Sequence, residues 1–131
     1  MSEDPLAGDP YVGAFPEHLA FWRAAEAGVL LLPRCTRCRE THWHPRVHCP
    51  FCRSADLDWE AASGLGELFT YSIIPRPAGP TVLAYVRLAE GPLLLTNLVE
   101  ADPASLQIGA ALQVTFRRTA EGRSAPVFRL R

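Results

Sequence analysis

The sequence predicts a mainly β chain: an N-terminal helix, a metal-clamped ribbon and a small five-stranded barrel. Three observations carry that prediction. Phe21 and Trp22 sit in a stretch with helical start and stop signals. Four cysteines stand as Cys35-Thr-Arg-Cys38 and Cys49-Pro-Phe-Cys52, with ten residues between the pairs. Beyond Trp59 come five short runs of strand-forming residues separated by Gly and Pro turns. The corresponding segments are 1–28, 29–58 and 59–131.

Residues 1–14 are rich in Asp, Pro, Gly and Ala, and are predicted to drape over something or stay loose. A helix is predicted from Pro16 to about Ala27. Proline suits its first turn, Glu17 complements the helix dipole there, and Gly28 suits the stop. Phe15, Leu19, Trp22 and Glu26 fall near one face, with Phe21 and Ala25 beside it, a short and heavily aromatic stripe.

Val29 to Leu32 leads as an extended run into the first cysteine pair. Residues 30–55 hold little that could form a core of their own, so the segment needs a staple. A CxxC pair folds into a tight knuckle offering two thiolates. Two facing knuckles complete the tetrahedral sulfur site that Zn²⁺ prefers. Zinc binding can supply about 10–16 kcal/mol of apparent folding free energy to such a segment. Iron is the nearest competing ion and a redox dithiol the next, but two pairs this close converge on one metal. Four thiolates leave no open position, so the ion is read as structural Zn²⁺ held by Cys35, Cys38, Cys49 and Cys52 in a zinc ribbon. A mixed site using His48 in place of Cys49 stays open.

The barrel strands are predicted at Gly66–Ile74, Thr81–Leu88, Leu93–Val99, Ala111–Arg118 and Val127–Leu130. Alternation in the first puts Leu68, Thr70 and Ser72 on one side and Phe69, Tyr71 and Ile73 on the other. Five strands in so short a stretch fit a closed or nearly closed barrel, for which the OB-fold is the commonest design.

The composition sets limits. The chain has 131 residues, 48% of them hydrophobic and 21% charged, with a formal net charge of −1. No global basic field draws it to nucleic acid or anionic lipid. All thirteen cationic residues are arginine, so Schiff-base chemistry and a phosphate-loop lysine are excluded. The acidic start, Met1 to Asp4, lacks the apolar core of a secretory signal. The aliphatic runs are too short to span a bilayer. A cytoplasmic location is expected, where paired CxxC motifs read as metal ligands rather than disulfides.

In order, the motifs resemble the acyl-CoA-associated zinc-ribbon and OB-fold family once catalogued as domain of unknown function 35. The matching residues are Phe21-Trp22, Leu32-Pro-Arg-Cys35 through Cys38, and Pro45-Arg-Val-His-Cys49-Pro-Phe-Cys52. They continue through Trp59, Ser63-Gly-Leu-Gly66, Gly91, Gln107-Ile-Gly109, Val114-Thr-Phe116 and Pro126-Val-Phe128. The resemblance implies a rubredoxin-like ribbon and a non-catalytic accessory subunit. Such a subunit binds and completes or stabilises a thiolase-fold enzyme, a thiolase or a sterol-carrier-type retro-aldolase, acting on acyl-CoA thioesters. Its implied partner is a thiolase-like subunit in a hetero-oligomer, with acyl-CoA as a further ligand. One departure stands out. Many ribbon knuckles carry Gly after the second cysteine, where this chain has Arg39 and Arg53.

Several residues admit two readings. His18, His42, His44 and His48 are either loop and helix residues in water or donors behind the metal ligands. No free cysteine, lysine or Gly-x-Ser-x-Gly elbow exists to partner them in catalysis. Arg34, Arg37, Arg39, Arg46 and Arg53 outnumber Glu40 in the ribbon. They either compensate the anionic metal centre or form a docking surface for CoA phosphates or an acidic partner. Trp43 either packs internally or anchors an interface. Trp22, Arg37, Trp43 and Arg46 are therefore the candidate contacts to a partner or to acyl-CoA. The alternatives in function are a nucleic-acid-binding ribbon and barrel, supported by the C-terminal arginines, and a stand-alone acyl-CoA-binding protein. The low net charge and missing lysines argue against nucleic acid.

Overall fold

The computed structural model describes residue 6 and residues 8–131. Residues 1–5 and 7, part of the stretch predicted to be loose, lie outside the described residues. The chain divides into two compact units. One runs to Ala62 and includes Phe116–Ala125; the other is Ser63–Thr115 with Pro126–Arg131.

In the first unit, a short helix α1 (Pro10–Ala14) occupies part of the stretch predicted to be loose. Its cause is local. Pro10 presets the first helical φ, and the Asp9 carboxylate accepts from the N–H groups of Tyr11 at 2.9 Å and Val12 at 3.3 Å. The predicted helix at Pro16 begins as a 3₁₀ turn (Pro16–His18) and becomes α2 at Leu19–Glu26. It ends in a Schellman motif: Gly28 at φ 77° donates to the Ala25 carbonyl, and Val29 to that of Ala24. The buried face is Phe21, Trp22 and Ala25, while Phe15 is exposed. The stripe is thus rotated from the predicted one. Glu26 accounts for part of this, because its carboxylate turns inward to take 2.7 Å bonds from Arg118 Nη1 and from the Ser124 N–H.

Strands β1 (Leu31–Cys35) and β2 (Leu57–Ala61) pair antiparallel, with Pro33 opposite Trp59 and Cys35 opposite Leu57. A lone two-stranded ribbon is marginal in water, and here it is backed by a small core. Leu30 and Leu32 join Leu6, Val12, Phe21, Trp22 and Ala25 as buried residues. Pro33 can sit in β1 because the strand lacks a full ladder on its other side. There the Pro33 carbonyl accepts from the His42 N–H at 3.1 Å, and Arg34 bridges Thr41. Arg123 closes the unit. Its Nη1 lies 2.8 Å from Asp9 Oδ2, and its guanidinium carbon lies 4.9 Å from the Tyr11 ring centroid and 4.8 Å from that of Trp22. That hydrogen bond holds the Asp9 carboxyl below its ordinary pKa, against the effect of burial.

The five predicted barrel strands are all present: β3 (Leu65–Ile74), β4 (Thr81–Leu88), β5 (Leu93–Leu98), β6 (Ala111–Arg118) and β7 (Ser124–Leu130). Only β7 is materially longer, starting three residues ahead of the predicted Val127. The barrel closes in the order β3-β4-β5-β7-β6. The β3–β4, β4–β5 and β3–β6 pairs are antiparallel, whereas β5 meets β7 in parallel at Leu98 and Phe128. This is the five-stranded Greek-key arrangement of an OB-fold. Val82, Ala84, Val86 and Leu88 alternate inward from β4 and pack with Leu68, Leu94, Leu98, Leu112, Val127 and Phe128. The buried Thr96 hydroxyl donates to the Pro126 carbonyl at 3.2 Å.

Strict alternation along β3 fails at one point. A bulge between Leu68 and Thr70 shifts the register, so Leu68 pairs with Val86 while Tyr71 pairs with Ala84. Leu68 and Tyr71 therefore share the inner face, and Thr70 and Ser72 turn outward. The extra residue, Phe69, lies outside beneath the Arg87 guanidinium, 5.0 Å from its ring centroid. Among the described residues, no helix is long and apolar enough to cross a membrane.

Candidate metal centre

Strand β1 delivers Cys35 into the first knuckle, and the two knuckles repeat one backbone pattern. The Arg39 N–H donates to the Cys35 carbonyl and the Arg53 N–H to the Cys49 carbonyl, both at 2.9 Å. The N–H contacts to sulfur differ in position: that of Cys38, three residues on, points at Cys35 Sγ, and that of Phe51, two residues on, at Cys49 Sγ, both at 3.4 Å. Cys35 and Cys49 are also fixed through their own N–H groups, bonded to the carbonyls of Glu40 and Ser54. The residue that follows each pair must turn left-handed, and Arg39 and Arg53 do so at φ 65° and 66°. The departure from Gly noted in the sequence leaves the knuckles intact.

All four cysteines are free thiols. Their Sγ atoms lie within 4.8 Å of one another. Cys35 and Cys52 are 3.5 Å apart, and Cys38 and Cys49 are 3.6 Å apart. A tetrahedron with Zn–S bonds of about 2.3 Å has edges of about 3.8 Å, so the residues present fit the ion. Their acid–base chemistry points the same way. The Cys38 N–H draws the Cys35 thiol down to about 7 against burial. The Glu40 N–H opposes any rise at Cys38, yet burial and the surrounding sulfurs push that thiol up to about 12. Four sulfurs this close cannot all ionise without a cation between them. A Cys₄ cluster of this kind, with Cys35 and Cys49 buried and Cys52 at the surface, suits a structural zinc. Bound there, the ion supplies folding free energy and leaves no position for a water or substrate.

The histidines stand apart from the sulfur set. His48 and His44 are exposed. His42 is only 3% exposed, and neither ring nitrogen has a hydrogen-bond partner among the described residues. Burial, then the nearby Arg46 charge, lowers its pKa and keeps it neutral.

The four candidate contact residues fall in two settings. Arg37 and Arg46 are exposed. Trp43 is half-buried, its ring 4.8 Å from Phe21. Trp22 is 9% exposed and packs edge-on against Phe21 at 4.9 Å, with its indole N–H unpartnered among the described residues. The sequence reading passed over two other residues, Val47 and Phe51, which stand out from the second knuckle into solvent. Their signal was available: apolar side chains in a CxxC loop have no core to enter.

Comparison with known proteins places these features together. Residues 22–58 match the family described as "ChsH2, rubredoxin-like zinc ribbon domain", and residues 59–117 match "ChsH2, C-terminal OB-fold domain". A "DUF35 domain-containing scaffold protein" of Methanothermobacter thermautotrophicus is 33% identical over 67% of this chain and 71% of its own length. A "Probable enoyl-CoA hydratase alpha subunit" of Thermomonospora curvata is 34% identical over 84% of this chain. The match spans only 36% of that longer protein. Among solved structures, a chain of the "Ltp2-ChsH2(DUF35) aldolase" superposes with a TM-score of 0.77 at 34% identity, covering 86% of this chain and 93% of that one.

Proposed function

The chain belongs to the ChsH2/DUF35 family of paired zinc-ribbon and OB-fold domains, and we propose that it serves as a non-catalytic partner domain of an acyl-CoA-processing enzyme. The chemistry, a Claisen-type, retro-aldol or hydratase reaction on an acyl-CoA thioester, belongs to a thiolase-like or hydratase partner in a cytoplasmic hetero-oligomer. The zinc held by Cys35, Cys38, Cys49 and Cys52 sets the shape of the ribbon. Exposed Arg37 and Arg46, with Trp43 braced on Phe21, offer the contact surface. Trp22 acts from beneath, holding the helix on which Trp43 rests.

The observation that carries this reading is the likeness to the aldolase-associated chain, which extends over nearly the whole of both proteins at 34% identity. The closed sulfur site supports it, since a Cys₄ zinc organises a surface without reacting. The experiment is co-expression with thiolase-like and hydratase enzymes of the same organism. Co-elution as a stoichiometric complex, with a change in the co-eluting enzyme's activity on acyl-CoA, is the expected result. Separate elution and unchanged activity would overturn the reading. Calorimetry of the isolated chain with CoA esters separates it from a stand-alone carrier, for which tight binding without any enzyme is required.

A further inference from the structure

We propose that the second cysteine knuckle, from Val47 to Phe51, is the anchor by which this chain docks, and that it fits an apolar recess rimmed by carboxylates on the partner enzyme. The proposal rests on the partner-domain reading above and names the contact within it. Val47 and Phe51 are 68% and 64% exposed, the two most exposed large apolar side chains described. They sit within five positions of one knuckle, and Pro50 between them is exposed as well. Burying side chains of this kind is favourable, a gain that the isolated chain leaves unused.

The knuckle is also rigid before any encounter. The Cys49 N–H bond to Ser54, the Arg53 N–H bond to Cys49 and the Phe51 N–H to sulfur contact fix its backbone. The converging thiols of Cys49 and Cys52 tie it to the first knuckle. Little ordering cost remains to be met on binding, which is the condition under which a small apolar tip becomes an effective anchor.

The charge around the tip selects what surrounds the recess. Arg46 and Arg53 flank the knuckle in sequence, and Arg37 and Arg39 belong to its twin. All four are exposed, and none forms an ion pair among the described residues. Arg34 behaves differently: it turns to Glu60 at 3.6 Å and to the Arg39 carbonyl. Compensation of an anionic sulfur centre explains positive charge near the metal, but it does not explain a bare valine and phenylalanine beside it. An apolar centre with an arginine rim is the anatomy of a protein interface, and guanidinium forks match carboxylates. A nucleic acid would use the arginines and leave Val47 without a partner.

The test is isothermal calorimetry of the zinc-loaded full chain against the thiolase-like or hydratase enzyme that co-elutes with it on co-expression, with zinc content measured in parallel. Val47→Ser with Phe51→Ser is expected to weaken binding about a hundredfold or more, as for paired hot-spot residues. Arg46→Glu with Arg53→Glu is expected to weaken it and to reduce its salt dependence. Ile108→Ser, an equally exposed apolar site on the barrel, is expected to bind as the unmodified chain does. If the double serine variant loses zinc, Phe51→Ala alone supplies the same reading. Equal binding by the unmodified and Phe51 variants overturns the anchor and leaves the partner reading standing. No binding by the unmodified chain overturns both. Salt-sensitive binding of a single-stranded oligonucleotide that is lost in Arg46→Glu, with no enzyme bound, assigns the surface to nucleic acid and overturns the proposal.

Discussion

Arg39 and Arg53 hold φ values of 65° and 66°, a region where an L side chain costs about 1–2 kcal/mol. Arg39→Gly and Arg53→Gly should each stabilise the zinc-loaded protein by about 1 kcal/mol or less, because glycine's freer unfolded chain offsets part of the relief. Thermal unfolding checks this, and unchanged midpoints would show that the turns carry no strain. A gain there, together with weaker partner binding, would show that the arginines are kept for their surface role. His42 makes a second prediction at this scale. Its folded pKa is lowered, so the unfolded chain takes up a proton that the folded one refuses. Stability is therefore full above pH 6.5 and falls as the pH drops below it. His42→Leu should flatten the pH 7 to 5.5 limb of the unfolding midpoint, and an unchanged slope would refute the assignment. The cysteine spacing was legible because ligand chemistry is local. The burial of His42 was not, since nothing in Thr41-His-Trp distinguishes a loop histidine in water from a buried one.

Turn residues punctuate the barrel strands, and this is why all five could be read from the chain. What escaped were features decided by a distant neighbour. The Asp9-Pro10 start of α1 is a legitimate helix signal, but a five-residue helix persists through Arg123, which is 114 positions away. The bulge at Phe69 depends on β4 supplying Val86 and Tyr85 as successive partners of Leu68 and Thr70. Gly66 shows how tightly these strands approach. A Cβ there would lie 2.7 Å from the Arg87 carbonyl oxygen and 2.7 Å from Val86 Cγ1. Gly66→Ala is predicted to destabilise the barrel by about 1–3 kcal/mol, the range for overpacked sites. Chemical denaturation measures it, and a neutral result would mean that β3 and β4 can part at that point.

For the molecule as a whole, zinc is predicted to decide whether the ribbon folds. Chelation, or Cys49→Ser, is predicted to collapse the amide signals of residues 30–61 in a ¹⁵N spectrum while those of β3, β4 and β5 persist. Simultaneous loss of both sets would show a single cooperative fold. A different consequence follows from the two carboxylates of the first unit. Asp9 waits for Arg123, and Glu26 for Arg118 and Ser124. On a ribosome adding about 5–20 residues per second, Arg123 emerges roughly 6–23 s after Asp9. The N-terminal part of that unit is translated first and can be finished only after Arg118, Arg123 and Ser124 have emerged. Until then a nascent chain would offer thiols to zinc with its N-terminal latch still undone.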